Sequence, residues 1–139
     1  MMASNSGVRT ELYRDQFGIL LEDLSNRMLE LKWLDGSSAM TDEDFKAWLD
    51  RFSTEAEARR QPHLVIDVRQ FRHRPGPEVG AWRDEHVIPR YNRAGVIKFA
   101  FLLPEGSPGA GASATPEPPG KFPTGYFDQP AKIEAWFKT

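Results

Sequence analysis

The chain has 139 residues, of which 40% are hydrophobic and 27% charged, with a formal net charge of −2 and no cysteine. This size and balance suit one soluble globular domain that buries a core unaided; disulfides, thiolate catalysis and cysteine-ligated metals are excluded. No apolar run is long enough to span a membrane, and the first residues, MMASNSGVRTE, lack the basic-then-apolar pattern of a secretory signal, so a cytoplasmic location is expected.

Charge is spread unevenly. Residues 1–58 hold six Lys/Arg against twelve Asp/Glu, residues 59–103 nine against four, and the remainder three against four. Such polarity can steer an anionic partner to the middle segment. The commoner outcome is that the two halves neutralise each other in the fold.

Residues 1–10 are polar and read as a flexible N-terminus, ahead of one domain over 11–139. Phe17 to Leu24 reads as a strand, with a turn at Ser25–Arg27. Met28 to Trp33 alternates, with Leu29, Leu31 and Trp33 on one side and Met28, Glu30 and Lys32 on the other. Period two with one apolar side predicts a half-buried strand, and the two runs together predict a hairpin. Thr41 opens the clearest helix. It can cap the free first-turn N–H groups, with Asp44 in the capping-box position and three carboxylates at the positive end of the dipole. Phe45, Trp48, Leu49, Phe52 and Ala56 then form one apolar stripe, and Pro62 prevents continuation.

Leu64 to Val68 is short and apolar apart from Asp67, as in a strand buried on both faces. Arg69, Arg72, His73 and Arg74 follow it. Glu78 to about Arg93 predicts a helix with Val79, Trp82, His86 and Val87 on one side, kinked or ended by Pro89. Val96 to Leu103 predicts another buried strand. Residues 104–123, PEGSPGAGASATPEPPGKFP, are dominated by Pro, Gly, Ala and Ser and predict a flexible insert without a regular element or a core contribution. Gly125 to Phe127 is a brief strand. Asp128 is expected to cap a last helix with Pro130 in its first turn and Ile133, Trp136 and Phe137 facing the core. Strands alternating with helices call for parallel pairing through right-handed crossovers. The class is therefore α/β: a mixed sheet with an N-terminal hairpin and parallel strands, packed by about three amphipathic helices.

The order MLELKWLDGSSAMTDEDFKAWLDRF, HLVIDVRQF, GVIKFAFLLP, GYFDQPAKIEAWF resembles the SpoIIAA-like, or STAS-type, domains, most nearly the small bacterial STAS/SEC14-like proteins without an assigned role. The resemblance runs from Phe17 onward and rests on element order and hydrophobic texture. It implies a non-catalytic regulatory module that binds a protein partner or itself, with a homodimer as one form. Two departures stand out. Anti-sigma antagonists of this type are switched at a Ser or Thr in the loop after the central strand, and Arg69–Glu78 contains neither. Relatives place a helix between the last two strands, where this chain has the Pro/Gly/Ala insert.

Arg69, Arg72, His73 and Arg74, at a strand end ahead of a helix, are a candidate anion or partner site, since guanidinium groups recognise carboxylate and phosphate in bidentate fashion. A solvated loop with its arginines paired to surface carboxylates is the commoner arrangement. Asp67 is expected to accept backbone N–H bonds or to pair with a loop arginine. His63, His73 and His86 have no metal-ligand spacing, so neither a metal nor a cofactor is expected. All four tryptophans are explained by core packing, the sharper alternative being a pocket lined by Trp82 and Tyr91. Phe71 between arginines offers only a weak nucleic-acid signal, and no nucleic-acid partner is expected. Three functions follow: an interaction module using the Arg69–Arg74 loop and the next helix; a binder of a small anionic or lipid-like ligand at the strand C-terminal ends, against Arg69, Arg72, Trp82 and Tyr91; and, last, an enzyme using Asp67 and His73.

Overall fold

The computed structural model describes residues 9–112 and 114–139. One seven-stranded mixed sheet runs in the order β1-β2-β3-β4-β5-β7-β6. Its strands are β1 (Arg9–Arg14), β2 (Gly18–Asp23), β3 (Met28–Trp33), β4 (His63–Asp67), β5 (Lys98–Leu102), β6 (Thr115–Pro116) and β7 (Pro123–Phe127). The helices are α1 (Asp42–Arg59), α2 (Val79–His86), α3 (Ile88–Ala94) and α4 (Pro130–Phe137). Because α2 and α3 follow one another directly, they form one interrupted stretch, which leaves three helical units packed on the sheet. β1, β2 and β3 pair antiparallel, β3, β4, β5 and β7 parallel, and β6 antiparallel to β7.

Alternation along the strands builds two cores. Leu29, Leu31 and Trp33 of β3, Leu64 and Ile66 of β4, and Phe99 of β5 join Trp48, Leu49, Phe52 and Ala56 of α1, Tyr91 and Ala94 of α3, and Phe122. On the other face Met28, Val65, Ala100 and Leu102 pack under Ile133 and Phe137 of α4. Every residue of β4 is buried, as an apolar run in a parallel sheet requires. β3 is not half-buried: Met28 lies under α4, and Glu30 is only 5% exposed.

Local chemistry sets the helix ends. Thr41 Oγ1 accepts from the Asp44 N–H (3.1 Å), and the Thr41 N–H donates to Asp44 Oδ2 (2.9 Å), a complete capping box worth about 1 kcal/mol. Arg90 of α3 clamps α1, donating to Glu57 and Asp50 at 2.7 Å and to Thr54 at 2.8 Å. The helix expected over 78–93 breaks at Val87, one residue before the Ile88-Pro89 pair that opens α3, because proline suits a first turn and not an interior. His86, placed on the inner side by periodicity, is exposed, while Val79 and Val87 are buried. Gly95 ends α3 at φ 85°, a left-handed position that suits glycine. Gln129, not Asp128, caps α4, without a side-chain bond; Asp128 instead accepts from the Gly106 N–H (2.9 Å).

Two segments depart from the sequence expectation. The loose N-terminus expected over residues 1–10 lies outside the described residues up to Val8, but Arg9 and Thr10 begin edge strand β1. Within 104–123, Thr115–Pro116 pairs with β7, and Phe122 is 3% exposed in the larger core. The segment thus contributes both a strand and a core side chain. Among the described residues no helix is long and apolar enough to cross a membrane.

The Phe122 contact is open to test. Phe122→Ala should lower the free energy of unfolding by about 3 kcal/mol in a urea titration; an unchanged midpoint would show that 104–123 adds nothing to the core.

Candidate ligand-binding site

The residues singled out at the end of β4 do not converge. Asp67 is 1% exposed. It accepts from the Arg69 backbone N–H (3.0 Å) and from the Arg69 guanidinium (3.1 and 2.9 Å), the pairing its burial demands. Arg69 therefore turns to the α4 side of the sheet. The rest of the loop sits on the opposite side, stitched to α1 and to the 3-10 turn Asp35–Ala39. Buried Ser37 accepts from the Arg72 N–H (2.8 Å). His73 Nε2 donates to Asp42 Oδ1 (2.8 Å), and the Gly76 N–H donates to the same carboxylate. The His73 hydrogen bond holds the Asp42 carboxyl below its usual pKa. Asp67 and His73 thus serve different partners and cannot act as an acid/base pair.

Phe71 is not a free stacking ring: its centroid lies 5.0 Å from that of Trp33 and 5.6 Å from that of Phe45. Arg72 and Arg74 are exposed, Arg72 reaching Asp35 at 3.5 Å. Trp82 is half-buried beneath the Lys46 ammonium, 5.5 Å from its ring. Trp33 and Trp48 are core residues as expected, whereas Trp136 is only half-buried.

Beside α4, a cleft of about 110 Å³ is lined by Arg9, Glu30, Lys32, Asp67 and Arg69. Two of its cations are paired across the site. Arg9 bridges from β1 to Glu30 (2.8 Å) and Asp23 (3.4 Å), and Arg69 to Asp67. Burial raises the Glu30 pKa, with Arg9 opposing the rise. The arrangement staples the edge strand to the sheet.

Of the six residues, Tyr91 alone enters the larger cavity, about 210 Å³, on the α1–α3 side. Its floor is Phe99 and Phe101 of β5 with Thr124 and Tyr126 of β7; Ile88 and Tyr91 of α3 form one wall, and residues 117–122 with Phe122 form the other. The rings are ordered in pairs: Phe99 on Phe122 (6.0 Å, 16°) and Phe101 on Tyr126 (5.3 Å, 8°). Tyr126 donates to both Glu117 oxygens (3.1 and 3.0 Å). Burial, then this hydrogen bond, raises its pKa. Tyr91 is 2% exposed, and burial raises its pKa too. Every sealed side-chain polar atom among the described residues has a hydrogen-bond partner. The Tyr91 hydroxyl has no such partner among them, so it meets the open space of the cavity. Arg83 and Asp84 stand at the mouth, each with a side chain 48% exposed, 3.4 Å apart.

Sequence reasoning found Tyr91 but missed the aromatic floor, Arg83 and Glu117. The available signal was Phe122, the one aromatic residue in the 104–123 segment.

Comparison of the chain with family models, with curated proteins and with solved structures returns no match in any of the three.

Two outcomes follow from this geometry. Arg72→Ala combined with Arg74→Ala should leave the melting temperature nearly unchanged, whereas Arg69→Ala, which strips a buried carboxylate of its partner, should cost about 1–3 kcal/mol; thermal melts of both variants decide it. Glu30 holds its proton more tightly folded than unfolded, so it subtracts stability as pH rises above its ordinary value of 4.5. Glu30→Gln should therefore gain on the wild type as pH rises above the ordinary carboxylate value of 4.5; a difference constant with pH would show that Arg9 fully offsets the burial.

Proposed function

We propose that this protein is a non-catalytic binding module whose ligand is a small, largely apolar molecule carrying polar groups, held between α3, the β5–β7 floor and residues 117–122. The observation that carries this reading is the aromatic cavity lined by Tyr91, whose hydroxyl has no hydrogen-bond partner among the described residues. Ligand sites are typically concave and mostly apolar, with a few placed polar groups that fix orientation. At about 210 Å³ this cavity is small for the class, which limits the occupant to one ring and a short substituent. An engineered apolar cavity of about 150 Å³ accommodates benzene. The alternative site at the strand C-terminal ends, with Arg69 beside Arg72, is not favoured, because Arg69 is engaged by Asp67 and Arg72 by Asp35 and the Arg69 carbonyl, and neither lines the aromatic cavity.

A second reading keeps the STAS-like interaction module. It is favoured by α2, in which Val79 alone of eight residues is buried, and by the exposed Arg72 and Arg74 beside that helix. A helix so little buried is able to present its surface to a protein partner or a second copy, and sedimentation of the purified chain separates monomer from dimer.

The cavity reading is tested with p-cresol as probe. Amide and methyl NMR shifts should concentrate on Tyr91, Phe99, Phe101, Phe122 and Tyr126, with a dissociation constant on the order of 1 mM. Tyr91→Phe should weaken binding several-fold through loss of about 1 kcal/mol of hydrogen bonding, and Ile88→Phe should abolish it by filling the space. Shifts scattered over the surface, or unaffected by both substitutions, would overturn the proposal.

A further inference from the structure

We infer that the cavity selects a zwitterion, an aromatic α-amino acid whose ring enters between Tyr91 and the β5–β7 floor while its ammonium and carboxylate remain at the mouth. The inference rests on the cavity reading above and deepens it by naming the ligand class.

The argument begins with the separation of apolar and charged groups. Inside are the rings of Tyr91, Phe99, Phe101, Phe122 and Tyr126. Aromatic side chains favour offset or edge-to-face contact with a further ring, and the pairs already present leave ring faces and edges at several angles, from 8° for Phe101–Tyr126 to 59° for Tyr91–Phe122. The charged lining residues are Arg83, Asp84 and Glu117. Arg83 and Asp84 are half-exposed and Glu117 is exposed, so a charged ligand group meeting them stays largely hydrated. The desolvation penalty that a charge suffers in an apolar cavity is then mostly avoided.

The second step is that the mouth carries both signs. Arg83 lines the cavity together with Tyr91 and Tyr126, and its positive charge opposes the rise in pKa of both phenols. Glu117 is held at the opening by Tyr126, which bonds both its oxygens. Arg83 has one long contact, 3.4 Å, with its chain neighbour Asp84. Its remaining donors suit a carboxylate, which guanidinium binds in bidentate fashion. A carboxylate also accepts several hydrogen bonds at once, so Glu117 can receive an ammonium N–H while it holds Tyr126. A simple anion would bring its charge up against Asp84 and Glu117. A simple cation would face Arg83. A molecule with adjacent charges of opposite sign satisfies both sets of groups, and specificity arises because each singly charged analogue leaves a like-charge contact. Volume sets the same limit: a cavity of about 150 Å³ takes benzene, and the 210 Å³ here adds room for the carbon that links the ring to a charged head outside.

Calorimetric titration of the full chain with L-phenylalanine, 3-phenylpropionate, phenethylamine and p-cresol tests the inference. L-Phenylalanine should bind at least tenfold more tightly than either singly charged analogue. Glu117→Gln should reduce its advantage over 3-phenylpropionate, and Arg83→Met its advantage over phenethylamine, each several-fold. If p-cresol binds in the cavity but L-phenylalanine is no tighter than the singly charged pair, the zwitterion inference falls and the cavity reading stands. If none of the four probes binds, both fall. Because the comparison among ligands is made on the wild-type chain, it is decided even where a variant folds poorly.

Discussion

A parallel sheet must be covered on both faces, and the direction in which this chain advances decides what covers each. From β3 to β4 to β5 every new strand is added on the same side, and right-handed crossovers send both connections over one face. The first two connections are helical and fill that face over β3, β4 and β5 with Trp48, Phe52, Tyr91 and their neighbours. The connection from β5 to β7 is the Pro/Gly/Ala-rich segment 104–122, irregular apart from the two-residue edge strand β6 that pairs with β7. An irregular backbone needs water or specific partners for its N–H and C=O groups, so it stays near the surface rather than packing flat as a helix does. It lowers one ring, Phe122, into the core and leaves an aromatic hollow beside it.

The two faces treat polar groups differently. Beside α4 the charges are paired across strands: Arg9 to Glu30 and Asp23, Arg69 to Asp67. Such networks hold an edge strand in register but leave few groups free to recognise anything else. On the other face the polar contacts run mainly from α1 to α3 and to the loop after β4, as in the Arg90 clamp and the Asp42 bonds, and the cavity beside β5 and β7 is lined largely by rings. The Tyr91 phenol there has no hydrogen-bond partner among the described residues, and the charged lining is one guanidinium, Arg83, with the carboxylates of Asp84 and Glu117. Unsatisfied hydrogen-bonding capacity next to apolar surface is what a ligand exploits, so the second arrangement suits binding and the first suits stability.

Much of the framework was legible in the chain. The Thr41–Asp44 capping box, the stripe from Phe45 to Ala56, the alternation in Met28–Trp33 and the solid apolar run at Leu64–Ile66 each carry a local physical signal, and each element stands where that signal placed it. β1 was not legible: RTELYR is mostly exposed and is held by contacts remote in sequence, its pairing with β2, the Arg9 ion pairs and the packing of Leu12 and Tyr13 on the core. The break at Val87 was half-legible, since Pro89 announces an interruption but not that a new helix starts around it. Composition correctly excluded a helix in 104–123, yet composition averages over residues and hides the one aromatic that enters the core.

The amino-acid sequence by itself determined the element types, the mixed α/β class and the burial of the middle strand, because those follow from periodicity and capping between residues a few positions apart. Tertiary structure alone decided where the functional side chains meet. Arg69 and Arg72, three residues apart, take different partners: the Arg69 guanidinium turns to buried Asp67, while the Arg72 backbone N–H is held by buried Ser37 and its guanidinium reaches Asp35. Arg83, Tyr91, Phe101, Glu117 and Tyr126, spread over more than forty positions, come together around one hollow. No local pattern encodes that meeting; it arises from the handedness of the two helical crossovers and from a third connection that forms edge strand β6 in place of a helix and lowers Phe122 into the core.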